Sequence, residues 1–255
     1  MKIIVPDYYK DFKCIADKCR HSCCQGWEIE IDEESLKRFE QHPDIACKIM
    51  KNDDSHDSEQ SACFGLVDNE KCPFLLGSGL CDMILRYGED MLCQTCTDHP
   101  RYRNYWADRI EMGLGLVCEE AARLVLSLEE PMRLVILDGG ENEDADDISE
   151  LPEDEQWLYE IRDKLLRDVS DSGENGPIAR YREYLIYRHI PDALYDDRLS
   201  ERIAFVNMLA DKAKQQWLDS DNSIEALAEI VRVLSYDIEY DEEVKERILD
   251  SFPHG

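Results

Sequence analysis

Positive charge is scarce in this sequence. Lys and Arg number 29 against 58 Asp and Glu, a formal net charge of −29. A field of that sign repels phosphate backbones and anionic lipid, so nucleic acid and membrane surfaces are excluded as partners. It favours a cationic partner instead, such as a protein rich in exposed lysines. Long apolar runs are also missing. No stretch of about 18 apolar residues occurs, so no membrane-spanning helix is expected. The opening Met1-Lys2-Ile3-Ile4-Val5-Pro6-Asp7 is too short and too soon charged for a signal peptide, and a cytoplasmic location is expected. There is no internal repeat, which excludes a solenoid. Cysteine is absent from everything after Cys118.

What is present describes a folded chain. Its 255 residues are 43% apolar and 34% charged, which suits one large domain or two small ones with a sizeable core. The helical period of 3.6 is plain in the C-terminal part. Trp157, Leu158, Ile161, Leu165 and Val169 form one stripe; Ile178, Tyr181, Leu185 and Ile186 form another, which stops before Pro191. Ile203, Val206, Leu209, Ala213 and Trp217 make a third. Ile224, Leu227, Ile230, Val231 and Leu234 make a fourth, with Asp221 or Asn222 as its cap. Val244, Ile248 and Leu249 predict a short last helix after Asp241. Earlier in the chain, Leu36–Glu40 reads as a helix with Asp32 or Ser35 as cap, and a helix runs from Cys118 until Pro131 breaks or kinks it. Only Tyr8-Tyr9 and Trp27–Ile31 alternate like strands. Residues 51–61 are polar throughout and read as a solvated loop. From Glu141 to Glu155 there are nine carboxylates and no basic residue, an extended acidic linker. The expected fold is mainly α, a cysteine-rich metal-binding N-terminal half packed on a helical C-terminal half. Its regions are 1–137, a linker 138–155, and 156–255.

The 11 cysteines carry the chemistry. A reducing cytosol argues against a disulfide framework and for metal. Three groups stand out: Cys14-x4-Cys19-x3-Cys23-Cys24; Cys72-Pro73-Phe74-Leu75 followed by Cys81; and Cys93-x2-Cys96-x2-His99, with Cys118 further on. Short loops let several sulfurs converge without a large closure entropy. Successive side chains diverge, so of Cys23 and Cys24 one is expected as a ligand while the other is buried or serves a second site. Zinc takes four ligands from paired knuckles, and iron–sulfur clusters take four thiolates from irregular spacings; the spacing here leaves both open. Cys47 and Cys63 lie outside the groups and read as ordinary buried thiols.

The run Phe12-Lys13-Cys14-Ile15-Ala16-Asp17-Lys18-Cys19-Arg20-His21-Ser22-Cys23-Cys24-Gln25-Gly26-Trp27 resembles the opening motif of the flagellin lysine-N-methylase family, within a wider group of cysteine-rich zinc- or iron-chelating proteins. The resemblance continues through Cys72-Pro73-Phe74-Leu75, Gly79-Leu80-Cys81, Cys93-Gln94-Thr95-Cys96, His99-Pro100-Arg101 and Cys118–Leu124. It is fainter at Tyr184–His189. It implies S-adenosylmethionine-dependent methylation of flagellin lysines by an enzyme carrying an iron–sulfur cluster, of the 4Fe-4S type, with zinc as the alternative. The candidate ligands are Cys14, Cys19, Cys23, Cys24, Cys72, Cys81, Cys93, Cys96 and Cys118. The other reading is a non-catalytic zinc- or iron-chelating protein.

Two ways of handling the methyl donor look poorly supported. Leu134–Gly140 is the only candidate for a Gly-rich cofactor turn, and it reads better as a helix end with a glycine cap. The radical enzymes that use this donor carry Cys-x3-Cys-x2-Cys, and here the third position after Cys19 and Cys23 is Gly26. Polar transfer is therefore expected. It needs a neutral lysine, whose ordinary pKa is about 10.4, and so a base or a desolvating site. His99 and Tyr102 are the catalytic candidates, with Asp98 and Tyr105 nearby. Trp27 could face the sulfonium cation, as could Tyr102 or Trp106, and Arg101 or Arg103 could hold the cofactor carboxylate.

Overall fold

The computed structural model describes residues 1–51, 62–139, 145 and 147–253. The predicted loop beyond Lys51 and residues 141–144 and 146 of the acidic linker lie outside the described residues. The chain forms two compact units, one of Met1–Lys13 with Pro100–Gly255 and one of Cys14–His99. The cysteine-rich stretch contributes to both: Cys118 falls in the first unit and every other cysteine in the second. In chain order the first unit opens with β1 (Lys2–Pro6). The second holds β2 (Glu30–Ile31), α1 (Glu33–Phe39), α2 (Pro43–Ala46), β3 (Ile49–Lys51), β4 (Ala62–Phe64), α3 (Asp82–Tyr87) and α4 (Gln94–Asp98). The first then resumes with β5 (Arg101–Tyr105), β6 (Arg109–Leu114), α5 (Glu119–Leu126), β7 (Leu134–Asp138), α6 (Glu153–Asp171) and α7 (Pro177–His189). It ends with α8 (Ala193–Asp196), α9 (Leu199–Leu218), α10 (Ile224–Leu234), a π-helical turn Ser235–Glu239, and α11 (Glu242–Asp250). Helix outweighs strand, so the fold is mainly α, with two small sheets.

The larger unit sets a four-stranded sheet, order β5-β6-β1-β7, with the long helices. Strand β1 runs parallel to β6 and antiparallel to β7. The sequence reading of Leu134–Gly140 as a helix end needs correction. Leu134–Asp138 is a strand, and Gly139 at φ 82° turns the chain at its end. Helix α7 begins with Pro177 at its first position and stops two residues before Pro191. It is buried nearly all round, with Ile178, Tyr181, Tyr184, Leu185, Ile186 and Tyr187 all in the core, as expected of a central helix. Helix α10 is capped by the Ser223 hydroxyl, which accepts from Ala226 N–H at 3.1 Å, rather than by Asp221 or Asn222. Asp221 instead accepts the Ser223 N–H and O–H at 2.9 and 2.6 Å, so it props the cap.

Two buried polar networks cross this core. The first joins Glu111 on β6 to Arg162 on α6, both almost fully buried and bonded at two points. The guanidinium lies 4.4 Å from the Tyr159 ring centre and 5.2 and 5.3 Å from those of Trp106 and Tyr187. The second gathers on Glu239, at the end of the π-helical turn. Its Oε2 accepts from Tyr184 Oη at 2.9 Å and lies 2.8 Å from His189 Nε2 and 3.3 Å from Arg188. Arg188 also donates to Tyr184 Oη at 2.5 Å and sits over the Tyr102 and Tyr240 rings at 4.9 and 4.6 Å.

The hairpin β5–β6 pairs Tyr102 with Gly113. The Tyr102 ring lies flat over that glycine, and a Cβ on residue 113 would overlap the ring at Cζ and Oη. The ring cannot swing away, because Arg188, Tyr184 and Tyr187 hold its other sides. Gly113→Ala is therefore expected to destabilise the protein by about 1–3 kcal/mol, the usual cost of overpacking. Gly77→Ala, where nothing lies within 4 Å, serves as the control. Thermal unfolding of both variants checks this; equal melting temperatures would refute the packing argument.

The Cys14–His99 unit has a three-stranded sheet, order β2-β4-β3, and helices of no more than seven residues. Its core is small: Ile29, Ile31, Phe39, Ile45, Phe64, Phe74 and Met83 with Cys72 and Cys93. Phe64 packs at 5.6 Å on Phe39 and edge-on at 5.2 Å on Phe74. Asp32 ties two helices together. One carboxylate oxygen caps α1 by accepting Ser35 N–H at 2.9 Å, and the other accepts Gln94 N–H at 2.8 Å at the start of α4.

Candidate functional site

Backbone hydrogen bonds gather the thiols of the smaller unit. Cys72 N–H donates to the Cys24 carbonyl at 2.8 Å. Pro73 follows and fixes the turn, in which Leu75 N–H donates to the Cys72 carbonyl at 3.0 Å. Asp82 N–H then reaches the Phe74 carbonyl at 2.8 Å, and Leu75 and Cys81 form an antiparallel bridge. Cys93 is the residue before α4 and Cys96 stands three further on, a spacing that puts both on one side of a helix. The outcome is one neighbourhood of five sulfurs. Cys72 interacts with Cys24, Cys81 and Cys93, and Cys96 with Cys93, Cys24 and Cys72. Cys72 and Cys93 are buried; Cys24, Cys81 and Cys96 are half-buried.

The thiols do not titrate alike. Burial pushes Cys72 up to about 11, and burial also raises Cys81. A hydrogen bond between Cys93 and Cys96 lowers Cys93 to about 7 and, with burial, raises Cys96. A hydrogen bond from Cys23 lowers Cys24 to about 7. Soft thiolate donors of this kind suit zinc or an iron–sulfur cluster. Among the described residues, however, no three His, Cys, Asp or Glu side chains converge tightly enough to hold a metal ion. The two observations are compatible. Electrostatic interaction between thiols reaches over several ångström, whereas a zinc–sulfur bond is about 2.3 Å. The five sulfurs are neighbours, and their donor chemistry fits the group, but they are not drawn in to bonding distance of one centre.

The remaining candidate ligands stand differently. Cys14 is exposed, and its Sγ accepts from Ala16 N–H at 3.4 Å. Cys19 donates to the His21 carbonyl at 3.2 Å, and Cys23 is exposed beside Cys24. Cys118 precedes α5 in the larger unit. Of the two outlying cysteines, Cys63 is buried in β4, as expected, but Cys47 is exposed.

Two of the chemical candidates join the thiol-bearing unit. Trp27 Nε1 donates to the Cys23 carbonyl at 2.7 Å, and its ring centre lies 6.1 Å from that of His99. At 37% exposure this ring is open to solvent rather than core. His99 ends α4, with its N–H on the Thr95 carbonyl at 3.1 Å. Arg101 and Tyr102 belong to the larger unit. Arg101 lies 5.7 and 5.6 Å from the Tyr9 and Phe12 ring centres. Burial, reinforced by Tyr8, Tyr184 and Tyr187, holds the Tyr102 phenol protonated well beyond its ordinary range. Trp106 is buried in the core, while Tyr105 is exposed.

A concave site that the sequence did not announce opens beside α4. It measures about 390 Å³ and is lined by Asp32, Glu34, Arg38, Glu89, Asp90 and Thr97 among others. That volume falls within the roughly 300–1,000 Å³ of small-molecule sites. Four carboxylates against one guanidinium make it a place for a cationic group. Its only sequence signal was Asp32, visible as a helix cap; Glu89 and Asp90 arrive from a distant segment.

Comparison with known proteins bears on these motifs. No family profile and no solved structure matches the chain. It is 27% identical over 137 residues to a lysine-N-methylase of Salmonella choleraesuis and 26% identical over 137 residues to one of Salmonella typhimurium. Both alignments cover 51% of this chain and 33% of the relative, so the chain spans about a third of the length of these relatives. The flagellar biosynthetic protein FliU of Salmonella muenchen is 26% identical over 137 residues, 51% of this chain and 79% of that protein. The resemblance to the lysine-N-methylase family, first carried by the cysteine motifs, is thus supported by relatives of that name over about half of the chain.

Proposed function

We propose that this chain methylates lysine side chains of a protein, flagellin, with S-adenosylmethionine as donor, and that an iron–sulfur cluster is held among Cys24, Cys72, Cys81, Cys93 and Cys96. The gathering of those five thiols in one neighbourhood carries the reading. The likeness to proteins named for lysine methylation supports it. When bound, S-adenosylmethionine supplies a methyl group on a sulfonium, and a cluster would tie the thiol-bearing segments together. The rest falls to the chain's own residues. The acidic cavity, with Asp32, Glu34, Glu89 and Asp90 in its wall, suits a cationic group such as a lysine ammonium. In polar transfer the lysine nitrogen must lose a proton first; its lone pair would then form the new N–C bond as the methyl's C–S bond breaks, the pair leaving with a neutral thioether. His99, at the end of α4 beside Trp27, is the residue to take that proton on a ring nitrogen. Trp27 offers its face to a cation beside His99.

Anaerobically purified protein is expected to be brown, with iron and acid-labile sulfide, and to transfer labelled methyl from S-adenosylmethionine to flagellin lysines. Serine at Cys72 or Cys93 should remove the iron, whereas serine at the exposed Cys47 should not. Stoichiometric zinc without sulfide would overturn the cluster. Metal without any methyl transfer would leave a chelating protein.

A further inference from the structure

The larger unit carries a groove that the methylation chemistry does not use. It lies between the first turn of α6 and the turn from α8 into α9, with a volume of about 190 Å³. Leu158, Ala193, Leu194 and Leu199 make an apolar floor, and Asp154, Trp157 and Asp197 stand around it. We infer that this groove binds a lysine side chain of a polypeptide partner.

The occupant follows from the chemistry of the wall. The volume lies below the roughly 300–1,000 Å³ of cofactor sites, so the groove suits a single side chain. Trp157 is 57% exposed at its edge and presents an aromatic face, the best of the side chains for attracting a cation. The exposed carboxylates of Asp154 and Asp197 enter no ion pair among the described residues. Their neighbours are engaged: Arg202 holds Asp192 at 2.8 Å and Asp196 at 2.6 Å, and Glu155 accepts Ala107 N–H at 2.8 Å. Two uncompensated negative charges beside an apolar floor and an indole match one long aliphatic stem with a cationic head. The partner is a protein rather than a small amine because the aromatic surface continues beyond the groove. Tyr195, 70% exposed, donates from its hydroxyl to the carbonyl of exposed Tyr105 at 2.9 Å. Exposed aromatic rings of this kind anchor polypeptides. Within the proposed methylase reading this would be a second hold on a lysine-bearing substrate, but binding here does not depend on methyl transfer.

The test uses the full chain without methyl donor and a fluorescein-labelled peptide of alternating Ala and Lys, followed by anisotropy. The same peptide with every lysine acetylated and an Ala–Arg version are the comparisons. Binding to the parent is expected, with loss on acetylation. Trp157→Ala should weaken it about fivefold or more, and Asp154→Asn with Asp197→Asn should do so with a shallower salt dependence. Parent-like melting temperatures confirm that these exposed substitutions leave the fold intact. No binding by the parent, equal binding of the acetylated peptide, or unchanged affinity in both variants would overturn the inference. Tighter binding of the arginine peptide would also refute lysine as the occupant. If the peptide binds as described but no methyl is transferred in the separate assay, the methylase reading alone falls.

Discussion

Replacing Arg162 by Met should destabilise the protein by about 3–5 kcal/mol, the cost of stranding one partner of a buried ion pair. The reason lies in the depth of the pair. Glu111 and Arg162 are shielded from water, and the guanidinium donates to both oxygens of the Glu111 carboxylate. Burial alone would make Arg162 easier to deprotonate, but the Glu111 charge and hydrogen bond outweigh that and hold it charged. Glu111→Leu should cost a comparable amount, since it leaves the guanidinium without its counter-charge. The double variant should lose much less than the sum, because apolar residues of similar volume can replace a buried pair at little cost. Urea unfolding of the two singles and the double forms a closed cycle. Singles that each lose less than about 1 kcal/mol would mean that water reaches the pair.

That pair also explains what the sequence hid. Helices α6, α9 and α10 showed themselves because their core contacts recur at 3.6 residues and mostly solvated charges fill the gaps, and α7 by its apolar stripe alone, since its Arg180 and Glu183 are buried. Strand β6 broke its own pattern: Arg109 and Glu111, the polar residues that should have marked its outer face, are buried. Arg109 is held there by Asp108 and by the carbonyls of Ala145 and Asp147, so two core positions read as surface ones. Strand β7 is a short apolar run, and periodicity alone does not separate such a run from a helical segment. At the site, the sequence showed which thiols share a segment. A backbone hydrogen bond across 48 positions of chain brings Cys24 to Cys72, a contact that no spacing rule encodes. The acidic cavity was hidden for the same reason, being assembled from residues around Asp32 and around Asp90.

Acid should unfold the protein in part through Glu239. Burial by itself would raise the pKa of this carboxyl group, but Arg188, His189 and the Tyr184 hydroxyl together hold it down to about 2. An unfolded glutamate titrates near 4.3, so the difference corresponds to about 3 kcal/mol at neutral pH. Because the folded value is the lower one, this stability is present in full above about pH 5 and drains away as pH falls towards 2. His189 acts in the same sense. Burial lowers its pKa despite the hydrogen bond to Glu239, so it stays neutral in the fold, and its contribution fades as pH drops below about 6.5. One effect opposes them: protonating surface carboxylates relieves the self-repulsion of a chain with a net charge of −29. The parent's urea midpoint therefore mixes both effects, and Glu239→Gln separates them. The variant keeps the surface charges and loses only the buried one. It should be markedly less stable than the parent at pH 7, and the gap should close as pH falls from 5 to 3. A gap that stays constant over that range would show that Glu239 is not the buried carboxylate whose protonation weakens the fold.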